Sequence, residues 1–192
     1  MGLIKYPSPV KLIIGLIFRD PGLAGKAKEK VEESFGPIDF QSPTYPFLQT
    51  NYYYKEMGGN LKREFISLAE LVAPDALPKI KILTNQIEDQ LSSPDSEKGR
   101  RVNIDPGYIN SEKMILATTK NYTHRPYLTK GIYADLTYRF YKGSFRPLDW
   151  TYPDYRLPQY IEIFNTIRKS YVEQLKNVEI QSKNDKDPRI SS

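Results

Sequence analysis

The longest apolar run of the chain, VKLIIGLIF at 10–18, has no polar position apart from Lys11 and predicts a strand buried on both faces. GLAGKAKEKVEESFG (22–36) changes to a helical period, with Asp20 placed to cap the helix, Pro21 in its first turn and Gly36 at its end. PIDFQSPTYPF (37–47) is extended and broken by prolines, which suits an edge strand or a loop. TNYYYKEMGG (50–59) predicts a strand ending in a Gly-Gly turn, and LKREFISLAELV (61–72) fits a strand or a helix. In PDALPKIKILTNQIEDQL (74–91), Ile80, Leu83, Ile87 and Leu91 form one helical stripe. A polar loop over 92–99 precedes RRVNI (100–104), a short strand running into a DPGY turn in which Pro106 and Gly107 suit the turn positions. EKMILATTK (112–120) reads as extended. GIYADLTYRFYKG (131–143) alternates. Ile132, Ala134, Leu136, Tyr138 and Phe140 share one face, and Tyr133, Asp135, Thr137, Arg139 and Tyr141 the other, with a hairpin turn at Lys142-Gly143-Ser144. The segment 157–175 predicts a helix with Tyr160, Phe164, Ile167 and Tyr171 inward, and from Asn177 the polar composition predicts a disordered tail.

Up to residue 105 these elements run strand, helix, strand, strand, helix, strand. The expected fold is α+β: a single domain over 1–176 with a ferredoxin-like split βαβ core (β-α-β-β-α-β), extended by a β-hairpin and a C-terminal helix, and a tail over 177–192. A chain of 192 residues is long enough for one core without covalent staples. There is no cysteine, which removes disulfides, thiolate metal sites and a cysteine nucleophile. His124 is the only histidine, so a metal bound by this chain would need oxygen ligands, as Mg²⁺, Ca²⁺ and Mn²⁺ prefer, and a Ser-His-Asp triad would have to use that residue. The 10–18 run is too short to span a bilayer, no export signal precedes it, and Tyr6 stands where a myristoylation signal wants Ser or Thr. The expectation is a soluble, cytoplasmic protein without a membrane partner.

Charge sharpens this picture. The formal net charge is +5, and segment 98–130 carries Lys98, Arg100, Arg101, Lys113, Lys120, Arg125 and Lys130 against only Asp105 and Glu112, an excess equal to that of the whole chain. A local basic patch points to an anionic partner, either a small phosphorylated ligand or nucleic acid, or else to a solvated basic surface. The stretch RDPGLAGKAKEK (19–30) has the strand–glycine–lysine–helix layout of a phosphate loop, but the G-x-x-x-x-G-K-[ST] pattern set on Gly25-Lys26 puts Asp20 at the first glycine and Ala27 at the metal-binding hydroxyl. A helix cap explains the same residues, with Lys26, Lys28 and Lys30 solvated.

The polar positions left over form the candidate site. Lys81, Asn85 and Glu88 lie at i, i+4 and i+7, one polar stripe beside the apolar one. Asn103, Asp105 and Tyr108 sit around the DPGY stretch, where Asp105 could equally begin an Asx-turn. Lys120 and Arg125 could hold phosphate oxygens, Arg125 as a fork and Lys120 as a point charge. Tyr133 and Asp135 share a strand face. Were Glu88, Asp105 and Asp135 to converge, they could hold a divalent cation such as Mg²⁺. Trp150, Tyr152 and Tyr155 around Pro153 suit either a packed aromatic corner or a stacking wall for a ring. The expected function is the binding of a small anionic ligand, a nucleotide or phosphorylated metabolite, without a Walker-type loop. The alternatives are an RNA- or DNA-binding module using the basic segment with exposed Tyr and Trp, a carboxylate–metal-dependent hydrolase or transferase, and an interaction protein with an exposed apolar patch.

YYYKEMG, IKILTNQIE, RVNIDPGY, ILATTK, HRPYL, GIYADLT and WTYPDY, in that order, resemble the successive blocks of an uncharacterised prokaryotic family, the domain of unknown function four-four-one-six, over about Pro9 to Arg168. The resemblance implies a single domain. Members sometimes carry the label GTP-binding protein, with no catalytic residues to transfer, and the departures at Asp20 and Ala27 argue against reading that label as a GTPase.

Overall fold

The computed structural model of the chain describes residues 2–48, 53–92 and 99–184. Strand β1 (Val10–Phe18) runs antiparallel to β4 (Lys62–Val72) on one edge and to β5 (Val102–Ile109) on the other, and every residue of it is buried. The sheet has the order β2 (Ile38–Gln41), β4, β1, β5, β6 (Lys113–Thr118), β8 (Ile132–Tyr141), β7 (Tyr127–Thr129). β3 (Tyr45–Pro46) pairs with β4, and β9 (Ser144–Pro147) pairs with β8. Helices α1 (Pro21–Phe35) and α3 (Leu77–Leu91) cover one face, and α4 (Pro158–Asn184) covers the other. α2 (Tyr54–Met57) is a single turn. The chain is thus a single α+β domain. Among the described residues no helix is long and apolar enough to cross a membrane.

The two faces of β1 feed two cores. Leu12, Ile14, Leu16 and Phe18 pack with Ala24, Ala27 and Val31 of α1 and Ile80, Ile87 and Leu91 of α3. On the opposite side Ile13 joins Phe65, Met114, Tyr138 and Phe145 beneath Tyr160, Phe164 and Ile167, the expected inner stripe of α4. Each such side chain contributes about 1.5–3 kcal/mol by leaving water. Lys11, the polar interruption, is fully buried and held by Asp39 of β2 and by Gln174 Oε1 of α4 at 3.0 Å. Asp20 caps α1 as expected, accepting from Gly22 N at 2.8 Å, and Gly36 leaves the helix at φ 89°. Lys142 and Gly143 turn the β8–β9 hairpin with φ 48° and 81°.

Several local expectations are corrected. The described part of TNYYYKEMGG is not a strand: Tyr53 O accepts from Glu56 N and Met57 N, closing the turn of α2 and seating Met57 against Ile17, Phe47 and Leu61. Burial of Met57 outweighs the strand preference of the tyrosines, and residues 49–52 lie outside the described set. The ambiguous 61–72 segment is a strand, because β1 offers it a full ladder. DPGY does not turn. Val102 to Ile109 pairs without a break against Lys11–Phe18, and that ladder wins over local turn chemistry. The alternation in β8 does not hold throughout. A register shift opposite Met114 and Ile115 puts Ile132 in the cluster with Leu77 and Ala117 on the α3 side, and Tyr138 under α4. Finally, α4 runs through the polar residues 177–184, where a disordered tail was expected; 185–192 and the loop residues 93–98 fall outside the described set.

Candidate functional site

β5 and β6 pair only over Gly107–Ile109 against Met114–Leu116. Past that point they splay, because Pro106 has no N–H to offer the next rung and β6 continues with β8 alone. Gly107 makes the close approach at the fork possible, since a Cβ there would run into the Ile115 carbonyl and Leu116. The splay opens a cavity of about 870 Å³, bounded by the first half of β5, the end of β6, α3, Arg63 of β4 and the turn at 152–155. Ile104 N–H and C=O, the groups a neighbouring strand would have taken, go to α3 instead. Glu88 accepts from the N–H, and Lys81 Nζ donates to the carbonyl at 3.0 Å.

Arg63 forms the floor. It is 1% exposed and lies across β1 at Gly15, where a Cβ would approach Arg63 Nη2 to 3.3 Å and Tyr155 Oη to 3.2 Å. Its Nη2 donates to Tyr155 Oη at 2.6 Å, and its Cζ sits 4.9 Å and 5.0 Å from the Phe65 and Tyr155 ring centroids. Asp154 lies 3.6 Å from Nη2 and Asp105 3.7 Å from Nη1, ion-pair separations beyond hydrogen-bond reach. Nε and Nη1 have no hydrogen-bond partner among the described residues. Burial works against the guanidinium charge, but the oxygens of Tyr155, Asp154 and Asp105 outweigh it, and the net shift is upward.

Around the floor, charges alternate. Asp105 accepts from Asn103 Nδ2 at 2.7 Å, and its other oxygen is 3.6 Å from Lys81 Nζ. Asn103 Oδ1 accepts from Arg100, whose Nε is 3.3 Å from Glu88 and 3.8 Å from Glu56. Burial pushes the Glu88 carboxyl from its ordinary 4.5 up to about 7, against the pull of Lys81, Arg100 and the Ile104 N–H. Burial also raises Asp154. On the far wall Asp135, 2% exposed, accepts from Arg125 Nε at 2.8 Å. Arg125 Nη1 donates to Lys120 O at 3.2 Å and Nη2 to Tyr152 Oη, so every guanidinium nitrogen is engaged. His124 Nε2 lies 3.4 Å from the same Asp135 oxygen, and its ring stacks on Trp150 at 5.0 Å. In all, Arg63, Lys81, Arg100 and Lys120 face the cavity together with Glu56, Glu88, Asp89, Asp105, Asp135 and Asp154.

The model of the Domain of unknown function DUF4416 matches residues 8–171. The chain belongs to that family. No curated protein and no solved structure matches it.

Seven of the ten residues proposed from sequence line the cleft: Lys81, Asn85, Glu88, Asn103, Asp105, Lys120 and Asp135. Arg125 stands behind Asp135 as a clamp, its fork engaged by the protein rather than open to phosphate. Tyr108 packs with Leu77, Ala117 and Ile132 and does not line the cavity, and Tyr133 packs edge-on to Tyr127 at 5.3 Å. Glu88, Asp105 and Asp135 do not converge, and no group of three or more His, Asp or Glu that could hold a metal ion occurs among the described residues. Each carboxylate is drawn to a different partner: Glu88 to the Ile104 N–H, Asp105 to Asn103, Asp135 to Arg125. The basic segment is likewise dispersed. Arg100 and Lys120 reach the cleft, Arg101 and Lys130 face solvent, Lys113 pairs with Glu112 at 3.7 Å, and Lys98 lies outside the described set. None of residues 19–30 lines the cavity, and Lys28 pairs with buried Glu64 at 2.9 Å instead of being solvated. The sequence reading missed Arg63, Tyr53, Asp154 and the Thr118–Thr119 edge as site residues. Tyr155, read as a corner or a stacking wall, is the partner of Arg63.

Proposed function

We propose that the cleft binds a small anionic ligand of the nucleotide or phosphorylated-metabolite class, without a Walker-type loop. The observation that carries this reading is Arg63: a buried guanidinium on the cavity floor with two donor nitrogens lacking partners among the described residues. Buried charged donors left unpaired are costly, and a bound oxyanion would satisfy them. The volume of about 870 Å³ lies within the roughly 300–1,000 Å³ typical of small-molecule sites. Phe47, Tyr53 and Tyr152 supply aromatic lining for a base or sugar, while Asn85, Asn103 and Thr118 supply neutral hydrogen-bonding groups. A ferredoxin-like core fits this scaffold, on the strength of the antiparallel order β2-β4-β1-β5 with α1 and α3 on one face. A nucleic-acid ligand is the second reading, favoured by Tyr122, Trp150 and Tyr152, which are exposed beside Arg125. It predicts affinity that falls steeply with salt.

Thermal shift against nucleotides, sugar phosphates and oligonucleotides tests these readings, since a ligand that binds only the native state raises its Tm. Arg63→Lys keeps the charge but loses the fork, and is expected to weaken binding of the best small anion at least tenfold. Lys26→Ala, on the exposed face of α1, is expected to leave it unchanged. Equal affinity in the Arg63→Lys protein, or a loss at Lys26→Ala, would overturn the assignment.

A further inference from the structure

The anion position of the cleft is already occupied by a side chain. Asp105 sits between the two most buried cations of the cavity, 3.7 Å from Arg63 Nη1 and 3.6 Å from Lys81 Nζ, and makes a hydrogen bond with neither. It accepts a hydrogen bond from the neutral Asn103 amide at 2.7 Å. The carboxylate is a quarter exposed and faces the cavity, whereas Arg63 and Lys81 are nearly fully buried. Lys81 is fixed by its bond to Ile104 O, and Arg63 by Tyr155, so neither cation can swing away to follow a ligand. An incoming oxyanion that reaches Arg63 and Lys81 must therefore share them with Asp105.

Around this point acidic groups outnumber basic ones. Asp154 stands 3.6 Å from the other side of Arg63, Glu88 lies two turns beyond Lys81 on α3, and Arg100 is shared among Glu56, Glu88 and Asn103. One compact anionic group gains two charge-assisted partners at Arg63 and Lys81. A second phosphate attached to it enters a field set by carboxylates, at close range and partly shielded from water, where like charges repel strongly.

We infer that Asp105 is a resident anion that limits the cleft to ligands carrying a single phosphate group, against unchelated di- and triphosphates. This rests on the anion-binding reading proposed above, and it names the chemical class within it: a phosphate monoester on a neutral, hydroxyl- or amide-bearing body. Asp105 acts as a specificity-determining residue, setting how much ligand charge Arg63 and Lys81 can accept.

The test is calorimetric titration of the full chain, in chelator and without divalent metal, with inorganic phosphate, pyrophosphate and tripolyphosphate. The wild-type protein is expected to bind phosphate at least tenfold more tightly than pyrophosphate, with tripolyphosphate weaker still. Asp105→Asn keeps the shape and the Asn103 contact while removing the charge, and is expected to close that gap by about tenfold or more. Pyrophosphate binding the wild type as tightly as phosphate, or a ratio unchanged in Asp105→Asn, would overturn the inference while leaving the anion site standing. Should Asp105→Asn fail to fold, the wild-type series decides alone. Absence of heat with all three probes would overturn the anion-binding reading and this inference with it.

Discussion

Glu88 shows how one side chain can serve both fold and site. Its carboxylate closes the open edge of β5 by accepting from Ile104 N–H, yet burial raises its pKa from 4.5 to about 7. The native state therefore keeps a proton between about pH 4.5 and 7 that the unfolded chain has released. Stability falls as pH rises through that window and is level above it, by an amount on the order of 3 kcal/mol. Glu88→Gln retains an oxygen for the Ile104 N–H but cannot ionise. Urea unfolding at pH 5 and pH 8 should show the variant gaining about 1–3 kcal/mol on the wild type between the two, and an offset independent of pH would refute the assignment. Glu88 was legible in sequence, as were Lys81, Asn85, Asn103 and Asp105, because helical spacing and a polar strand end are local signals. Arg63 was not. It stands in a segment whose period fits two structures, and its meaning comes from Gly15, Asp105 and Tyr155, which are brought to it only by the sheet. Arg125 misled for the same reason, since the engagement of its fork by Asp135, Lys120 and Tyr152 is a tertiary fact.

At the scale of elements, glycines separate what local chemistry decides from what pairing decides. β1, α1 with its Asp20 cap, α3 and the inner stripe of α4 could be read from period and capping, because each buries the face its own pattern marks. DPGY could not. Its residues carry turn preference, but their four partners on β1 hold them extended, and the proline instead ends the pairing with β6. Gly107 is therefore a close-approach glycine rather than a turn glycine. Gly107→Ala would force Cβ against the Ile115 carbonyl and is expected to cost about 1–3 kcal/mol, as overpacking does. Gly25→Ala, inside α1 with nothing within 4 Å of its Cβ, is expected to stabilise by about 0.5–1 kcal/mol. Denaturant midpoints of the two variants should move in opposite directions. Movement in the same direction would mean that β5 tolerates a side chain at the fork, and the splay would need another cause.

At the scale of the whole molecule, the two cores are unequal in what they support. The α1–α3 core meets the cleft only through the polar stripe of α3, while the α4 core reaches its floor directly. Phe164 stacks on Tyr155 at 5.8 Å with the rings 10° apart and meets Phe65 edge-on at 4.9 Å, and these two rings flank Arg63. Tyr155 in turn accepts the bond that aims the guanidinium. Phe164→Ala should therefore do two things: remove about 3–5 kcal/mol of stability by leaving a cavity, and weaken anion binding by letting Tyr155 relax away from Arg63. Leu23→Ala in α1 empties a comparable site in the other core, with an expected cost of about 2–5 kcal/mol, but no part of its surroundings touches the floor. Measured at a temperature where both variants remain folded, phosphate affinity should drop at least tenfold in Phe164→Ala and stay within about twofold of wild type in Leu23→Ala. Additivity between distant sites supports that contrast, because mutations without shared partners leave each other's energetics alone. Equal losses in both would mean that the cleft responds to overall stability, and that α4 has no particular part in aiming Arg63.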